Sequence, residues 1–321
     1  WMGGSSLFPE VLAQTFAPGD GFPTLSVLDS TDPAAVARVT QALDPERTLV
    51  VAASKSGSTI ETRTHLEHFW SRFPLGPHFA AITDPGSGLE ALATERGFRA
   101  VVHGNPDIGG RFAALSAFGM FPAALMGLDG LHLLDTATEA AELLGADSPV
   151  YHHPGAQLGA LLAVAAQRGR DKLTLLIDER FETFGLWLEQ LVAESTGKHG
   201  VGILPVVGEP ADAPDADHRL FVVLGDHPAA LETLPGPSVR IAVEEPEDLG
   251  AQVFLWEFAT TVAGVALGIN PFDQPDVESA KQAAREALGA AGPVDGSSKG
   301  PDQGLDDALA LVREGDALVV A

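Results

Sequence analysis

The stretch "QLVAESTGK" (190–198) sets Gln190 and Glu194 four residues apart, on one face of a helix. Glu194 falls near the helix end among apolar residues, where partial burial would suit a carboxylate to work as a general base; local capping or pairing is the alternative. "SKSGST" (54–59) directly follows the apolar run "TLVVAA". Ser54, Ser56, Ser58 and Thr59 offer hydroxyls, Gly57 permits close backbone approach, and a helix starting near "TIET" turns its positive end toward the loop. A loop of this kind at the carboxyl end of a strand suits an anion; the same residues would also serve as an ordinary N-cap cluster. "MGGSSL" (2–7) is a second such loop, in which Gly3 and Gly4 allow tight approach and Ser5 adds a hydroxyl, unless it is only a turn. "NPDIGGRF" (105–112) places Gly110 and a fixed cation, Arg111, within reach of one ligand; a surface salt bridge is the alternative. "FDQPDVESAK" (272–281) puts Gln274 in a turn and Lys281 two turns into the following helix, where a lone lysine is usually solvent-facing. The chain has only five lysines, and Lys55, Lys198 and Lys281 all fall inside these stretches.

Composition narrows the chemistry. A formal charge of −25 argues against a nucleic-acid surface, yet leaves room for a local positive pocket that takes an anionic small molecule. With no cysteine, disulfides, thiolate catalysis and Cys-type zinc sites are excluded. None of the histidines has metal-ligand spacing, so no metal is expected, and no G-x-S-x-G elbow supports serine hydrolysis. No apolar run approaches the roughly 18 residues of a membrane span, and no signal peptide precedes the first motif. The expectation is a cytoplasmic protein with no membrane partner.

These residues must be positioned by elements that the hydrophobic pattern makes visible. "TLSVLDS" (24–30), "TLVVAAS" (48–54), "FAAITD" (79–84) and "FRAVVHG" (98–104) read as buried parallel strands, separated by amphipathic stretches such as "DPAAVARVTQAL" and "STIETRTHLEHFW". A nearly all-apolar helix follows at 114–128, then a polar, Pro-containing stretch at 145–156. The pattern restarts with a helix ("LGALLAVAAQRG"), a strand ("KLTLLIDE"), a helix ("FGLWLEQLVAESTG"), two strands ("HRLFVVLGD", "SVRIAVEE") and a helix ("AQVFLWEFATTVAGVALG"). The alternation predicts an α/β protein of two similar doubly wound, flavodoxin-like units, each a parallel sheet flanked by helices. The ends read as those of a piece of a longer protein: "WMGGSSL" is a turn-to-helix signal with no strand before it, and "GDALVVA" is a strand that stops as it begins.

Taken in order, "MGGSSL", "SKSGST", "GGRF", "QLVAESTGK" and "FDQPDVESAK" resemble the motifs of the phosphoglucose isomerase family, and most closely the bacterial branch that also occurs fused behind a transaldolase. The resemblance covers nearly the whole chain. It implies two tandem sugar-isomerase (SIS) domains, at 1–145 (lacking its first strand) and 146–290, with 291–321 as a C-terminal linker or helix and the start of a truncated segment. It also implies interconversion of glucose 6-phosphate and fructose 6-phosphate with no cofactor, in a homodimer. On matching positions, Ser54, Ser56 and Thr59 with the Lys55 amide resemble the phosphate cradle, supplemented by Ser5. Glu194 stands at the place of the base, Arg111 at that of the cation stabilising a cis-enediol(ate), and Lys281 at that of a lysine assisting ring opening. Gly4, Gly110, Gln190 and Gln274 match substrate-contacting positions. The chain departs from the family at the histidine of a "GQH" segment, given by the neighbouring subunit for ring opening. Its counterpart here is "GAQVF", with Gln252, which can hydrogen-bond a ring oxygen but is no acid or base; His199 is a poor substitute. A phosphomannose-accepting isomerase and a non-catalytic sugar-phosphate sensor are the alternatives.

Overall fold

The computed structural model describes residues 3–143, 145, 149, 152–212, 215–228, 234–274, 283 and 286. Residues 1–273 cluster into one compact unit, and 274–321 form a second. Lys281, most of "FDQPDVESAK" beyond Gln274, and the strand expected at the end of the chain lie outside the described residues.

Within the first unit the strands form two parallel sheets. The first has the order β1-β2-β3, from Val50–Ala53, Phe79–Thr83 and Ala100–His103. The second has the order β5-β4-β6-β7, from Lys172–Ile177 (β4), Leu204–Val207 (β5), Arg219–Leu224 (β6) and Ser238–Ile241 (β7). The central strands β2, β4 and β6 are buried throughout, as strands covered on both faces of a parallel sheet are, and Thr83, Lys172, Thr174 and Arg219 are buried with their apolar neighbours. β5 leaves little trace in the sequence because Pro205 interrupts it. As an edge strand it pairs only with β4, so the missing N–H is tolerated.

The stretch 24–30, expected to be a buried strand, forms none. It has no regular secondary structure and no fully buried residue, because Ser26, Asp29 and Ser30 cannot fill the two covered faces of a parallel sheet. The apolar helix expected at 114–128 is shorter: Ser116 caps it, accepting from the Phe118 amide, and it runs Ala117–Leu125 (α5).

Helices Gly4–Thr15 (α1), Pro33–Ala42 (α2), Ile60–Trp70 (α3), Gly88–Glu95 (α4), Gly130–Leu143 (α6), Pro154–Gln167 (α7), Phe184–Thr196 (α8) and Leu249–Leu267 (α9) complete the described layers. The larger core joins α1, α5 and α8 to the second sheet through Phe8, Leu12, Trp187, Leu188 and Val222, all fully buried. Each such side chain contributes roughly 1.5–3 kcal/mol. A smaller aromatic core, with Phe79 stacked on both Phe73 and Phe98, holds α3 against β1 and β2.

Pro246–Leu267 is long and apolar enough, by length and composition, to cross a membrane. Gln252, Glu257 and Thr260 interrupt its apolar runs and hid that property. Half of the stretch is buried inside the protein, with α9 packed on α6, α7 and α8, as a core helix would be.

Enclosure in this layer pushes the Glu257 carboxyl up to about 8, and its Oε1 has no hydrogen-bond partner among the described residues. The unfolded chain ionises the same group near its ordinary value of about 4.3. Between those values the folded state holds the extra proton, so stability falls as pH rises through that window and is level above it. Glu257→Gln is therefore expected to raise Tm at pH 8 by a few degrees, at roughly 2–4 °C per kcal/mol, and to give no gain at pH 4.5. Thermal unfolding of both proteins at the two pH values measures this; an equal shift at both would contradict it.

Candidate active site

Two clusters of the expected residues form at the carboxyl ends of strands and the starts of helices. The first sits on the crest of sheet one. Ser54, Asp84 and Gly104 each follow directly on the end of a parallel strand, so their loops lie along one edge. Lys55 stitches these loops together. Its ammonium meets Asp84 Oδ1 at 2.7 Å and the Asn105 carbonyl at 2.6 Å, which leaves the loop hydroxyls and amides, rather than this charge, to face a ligand. The Ser54 amide is used in the ladder, donating to the Ile82 carbonyl. Its hydroxyl lies 2.9 Å from that of Thr59, and the Ser56 and Ser58 hydroxyls are also 2.9 Å apart. Gly57 holds φ +64°, and a Cβ there would lie 2.8 Å from Ser87 Oγ; the loop needs glycine at this point.

Thr59 occupies the N-cap of α3, but its side chain makes no capping bond. The ordinary N-cap reading of "SKSGST" therefore does not account for that hydroxyl. Helices α2 and α4, by contrast, are capped by Asp32 and Ser87 through their side chains. Helix α1 likewise begins at Gly3 with no side-chain cap, and Ser5 lies half-buried in its first turn.

The second cluster is built around Arg111. The arginine follows Gly110 in a 3₁₀ turn (Gly110–Phe112) that packs against both α1 and α8. Gly4 makes this possible, since a Cβ on it would sit 2.1 Å from the Gly110 carbonyl oxygen. Arg111 is 1% exposed, so its charge must be met by fixed partners. Nε donates to Ser195 Oγ at 2.8 Å, Nη1 to Glu194 Oε1 at 3.2 Å, and Nη2 to the carbonyls of Pro271 at 2.6 Å and Asp273 at 3.1 Å. Burial pulls the guanidinium below its ordinary value, while the Glu194 and Asp273 carboxylates act the other way.

Glu194 is gripped from both sides. Its Oε1 takes the Arg111 bond and its Oε2 accepts from Gln190 Nε2 at 3.1 Å, over one turn of α8. The Glu194 side chain keeps 21% exposure, against 1% for Arg111, so the carboxylate is open to solvent while the cation is enclosed beside it. Gln190 Oε1 is buried without a hydrogen-bond partner among the described residues, and a Cβ on Gly3 would lie 3.3 Å from Gln190 Nε2. The start of α1, the Gly110–Arg111 turn and the half-buried face of α8 that carries Gln190 and Glu194 thus converge.

Gln252 does not join them through any hydrogen bond among the described residues. It is 7% exposed within α9, its Oε1 enclosed and without a partner there. Gln274 opens the second unit. Ser195 lies inside "QLVAESTGK" but its spacing gives it no role there, and the carbonyls of Pro271 and Asp273 are invisible to motif reading because a carbonyl carries no sequence signal.

The crest of sheet two differs. There the Asp178 carboxylate accepts from the Arg180 side chain and from the amides of Arg180 and Asp226, and the Arg180 hydrogen bonds hold it down to about 2.

Comparisons with known proteins bear on the fold and the family. A crystal structure of a hypothetical protein from Thermus thermophilus superposes with a TM-score of 0.75 at 25% identity, covering 89% of this chain and 82% of that one. A glucose-6-phosphate isomerase from Chlamydia trachomatis gives a TM-score of 0.74 over 96% of this chain and 71% of its own, at 21% identity, which bears on the fold alone. Fold and crest loops define an α/β protein of the sugar-isomerase class, with parallel sheets flanked by helices. The phosphoglucose isomerase family model matches residues 1–203, well over half of the chain. The chain belongs to the phosphoglucose isomerase family. A glucose-6-phosphate isomerase from Rubrobacter xylanophilus is 29% identical, covering 91% of this chain and 82% of the relative. One from Thermosynechococcus vestitus is 31% identical, and there the chain spans 64% of the relative's length.

Proposed function

We infer that the protein interconverts glucose 6-phosphate and fructose 6-phosphate through a cis-enediol(ate), with Glu194 carrying the proton. The phosphate is taken by the hydroxyls of Ser54, Ser56 and Thr59 and the Lys55 amide, with Ser5 in support, at helix starts that lack side-chain caps. In the open-chain aldose, Glu194 accepts the C2 proton. The C2–H electron pair forms the C1–C2 double bond, and the carbonyl pair moves onto O1. Arg111 faces that developing charge. The O2 proton passes to O1, O2 re-forms a carbonyl at C2, and Glu194 returns its proton to C1, giving the ketose. No cofactor or metal enters this balance. Gly4, Gly110, Gln190 and Gln274 contact substrate; Lys281 assists ring opening, and Gln252 holds the ring oxygen.

The observation that carries the reading is the Glu194 carboxylate, partly exposed and held between Arg111 and Gln190. A sensor that only binds sugar phosphate needs the hydroxyl loop, and gains nothing from desolvating a guanidinium beside a carboxylate. The reading takes the protein as a cytoplasmic homodimer of two SIS domains, in a longer or fused chain where one exists. Support for those points comes from the family resemblance.

A coupled assay on fructose 6-phosphate tests the function. Turnover to glucose 6-phosphate without any added metal is the expected result. Turnover of mannose 6-phosphate at a comparable rate would favour the dual-specificity isomerase. Saturable binding of fructose 6-phosphate without turnover would favour the sensor.

A further inference from the structure

Lys198 closes the same stretch as Glu194 but has no part in the proton transfer just described. It is 3% exposed, which is rare for a lysine and requires that its charge be met. The chain holds it there by a tight turn. Helix α8 stops at Thr196, whose hydroxyl bonds back to the Val192 carbonyl and accepts from the Ile203 amide at 2.9 Å. Lys198 and Val201 then exchange both backbone hydrogen bonds, at 2.8 and 2.9 Å. The two residues between them, His199 and Gly200, have φ of 54° and 76°, as a type I′ turn demands.

From this position the ammonium meets three acceptors, all in one short segment. It donates to the carbonyls of Asn270 and Asp273 and pairs with Asp273 Oδ1 at 2.8 Å. Arg111 grips the same segment from the other side, through the Pro271 and Asp273 carbonyls. The Asp273 carbonyl is shared by both cations. Phe272 also packs on Phe112, the residue next to Arg111, at 5.2 Å between ring centroids. Two buried cations therefore hold one turn, Arg111 paired with the Glu194 carboxylate and Lys198 with that of Asp273. Asp273 is close enough to act on Arg111 electrostatically. Without the ammonium, that half-exposed carboxylate would lose its fixed partner and be free to turn toward the guanidinium that Glu194 also needs.

We propose that Lys198 is a positioning residue: it anchors the turn at 270–273 and engages the Asp273 carboxylate, so that Arg111 stays directed at Glu194 and the reacting oxygens. This rests on the isomerase reading above.

The test is a double-mutant cycle on the whole purified protein, with fructose 6-phosphate as substrate and Tm measured in parallel. Lys198→Gln keeps two N–H donors for the carbonyls and removes the charge. It is expected to lower kcat by about 10- to 100-fold, the scale of a misplaced catalytic group, with KM changed by less than about threefold. Introduced into an Asp273→Asn background, the same substitution is expected to lower kcat by less than about threefold, because the competing carboxylate is gone. An equal loss in both backgrounds overturns the proposal, as does a Lys198→Gln protein within about threefold of the parent in kcat. Failure of Lys198→Gln to fold in both backgrounds also overturns it, since the lysine would then be a structural strut. An inactive parent overturns the isomerase reading, and this inference with it; an active parent with no coupling overturns this inference alone.

Discussion

Glu194→Gln is expected to lower kcat by about 10²- to 10⁴-fold, the usual contribution of a general base, while sugar phosphate still binds. The substitution removes the proton acceptor and the negative charge paired with Arg111, while keeping the hydrogen-bonding shape. The carbonyl oxygen of the substituted amide can still accept from Arg111 Nη1, where Glu194 Oε1 does now. Its new NH₂ group would face Gln190, whose own Oε1 is buried without a hydrogen-bond partner among the described residues. A half-turn of the Gln190 amide lets that oxygen accept, so the pair stays satisfied with donor and acceptor exchanged. The side chain is also partly exposed, which limits any packing cost. Tm is nevertheless expected to fall by a few degrees, because the buried Arg111 guanidinium keeps its hydrogen bonds but loses the carboxylate charge that faces it. Steady-state rates with fructose 6-phosphate, together with binding of a non-reacting sugar phosphate, separate the two effects. A variant whose kcat stays within about tenfold of the parent would remove Glu194 from the role of base.

The sequence makes some of this legible and hides the rest for identifiable reasons. Strands β2, β4 and β6 are mostly apolar, and a parallel strand covered on both faces leaves that trace. Spacing alone puts Glu194 and Gln190 on one helical face, and the hydrogen bond across that spacing is present at 3.1 Å. The position of the loop at 54–59 after a strand points it toward a ligand, but does not foretell the pairing of the Lys55 ammonium with Asp84. That pair joins residues far apart in the chain, and nothing in either local stretch marks the other. The segment 24–30 misleads because its alternation of apolar and polar residues matches a strand, while only a neighbouring strand can make one of it. The turn at 270–273 is hidden most deeply. What Arg111 and Lys198 bind there is mainly backbone carbonyl, which every residue possesses.

Arg111→Met should be the most damaging substitution in the protein, because activity and stability fail together. The guanidinium places donors on Ser195, Glu194, Pro271 and Asp273 from one planar fork. Methionine fills similar volume and supplies none of them. Glu194 loses its cationic partner, and two carbonyls in the turn lose a buried donor. Breaking a buried ion pair by deleting one partner costs roughly 3–5 kcal/mol, which at this chain length corresponds to a fall in Tm on the order of 10 °C. Loss of a fixed donor aimed at developing oxyanion charge lowers kcat by a further factor of about 10²–10³. Arg111→Lys separates the two parts. A lysine restores the positive charge but, with a single nitrogen, cannot reach Ser195 Oγ, Glu194 Oε1 and both turn carbonyls together. The lysine variant should recover much of the Tm and remain more than about tenfold slow in kcat, since charge without the fork leaves Glu194 and the oxyanion site misaligned. Full recovery of kcat by lysine would mean that charge alone matters at this position. An unchanged Tm in the methionine variant would mean that the four hydrogen bonds hold nothing together.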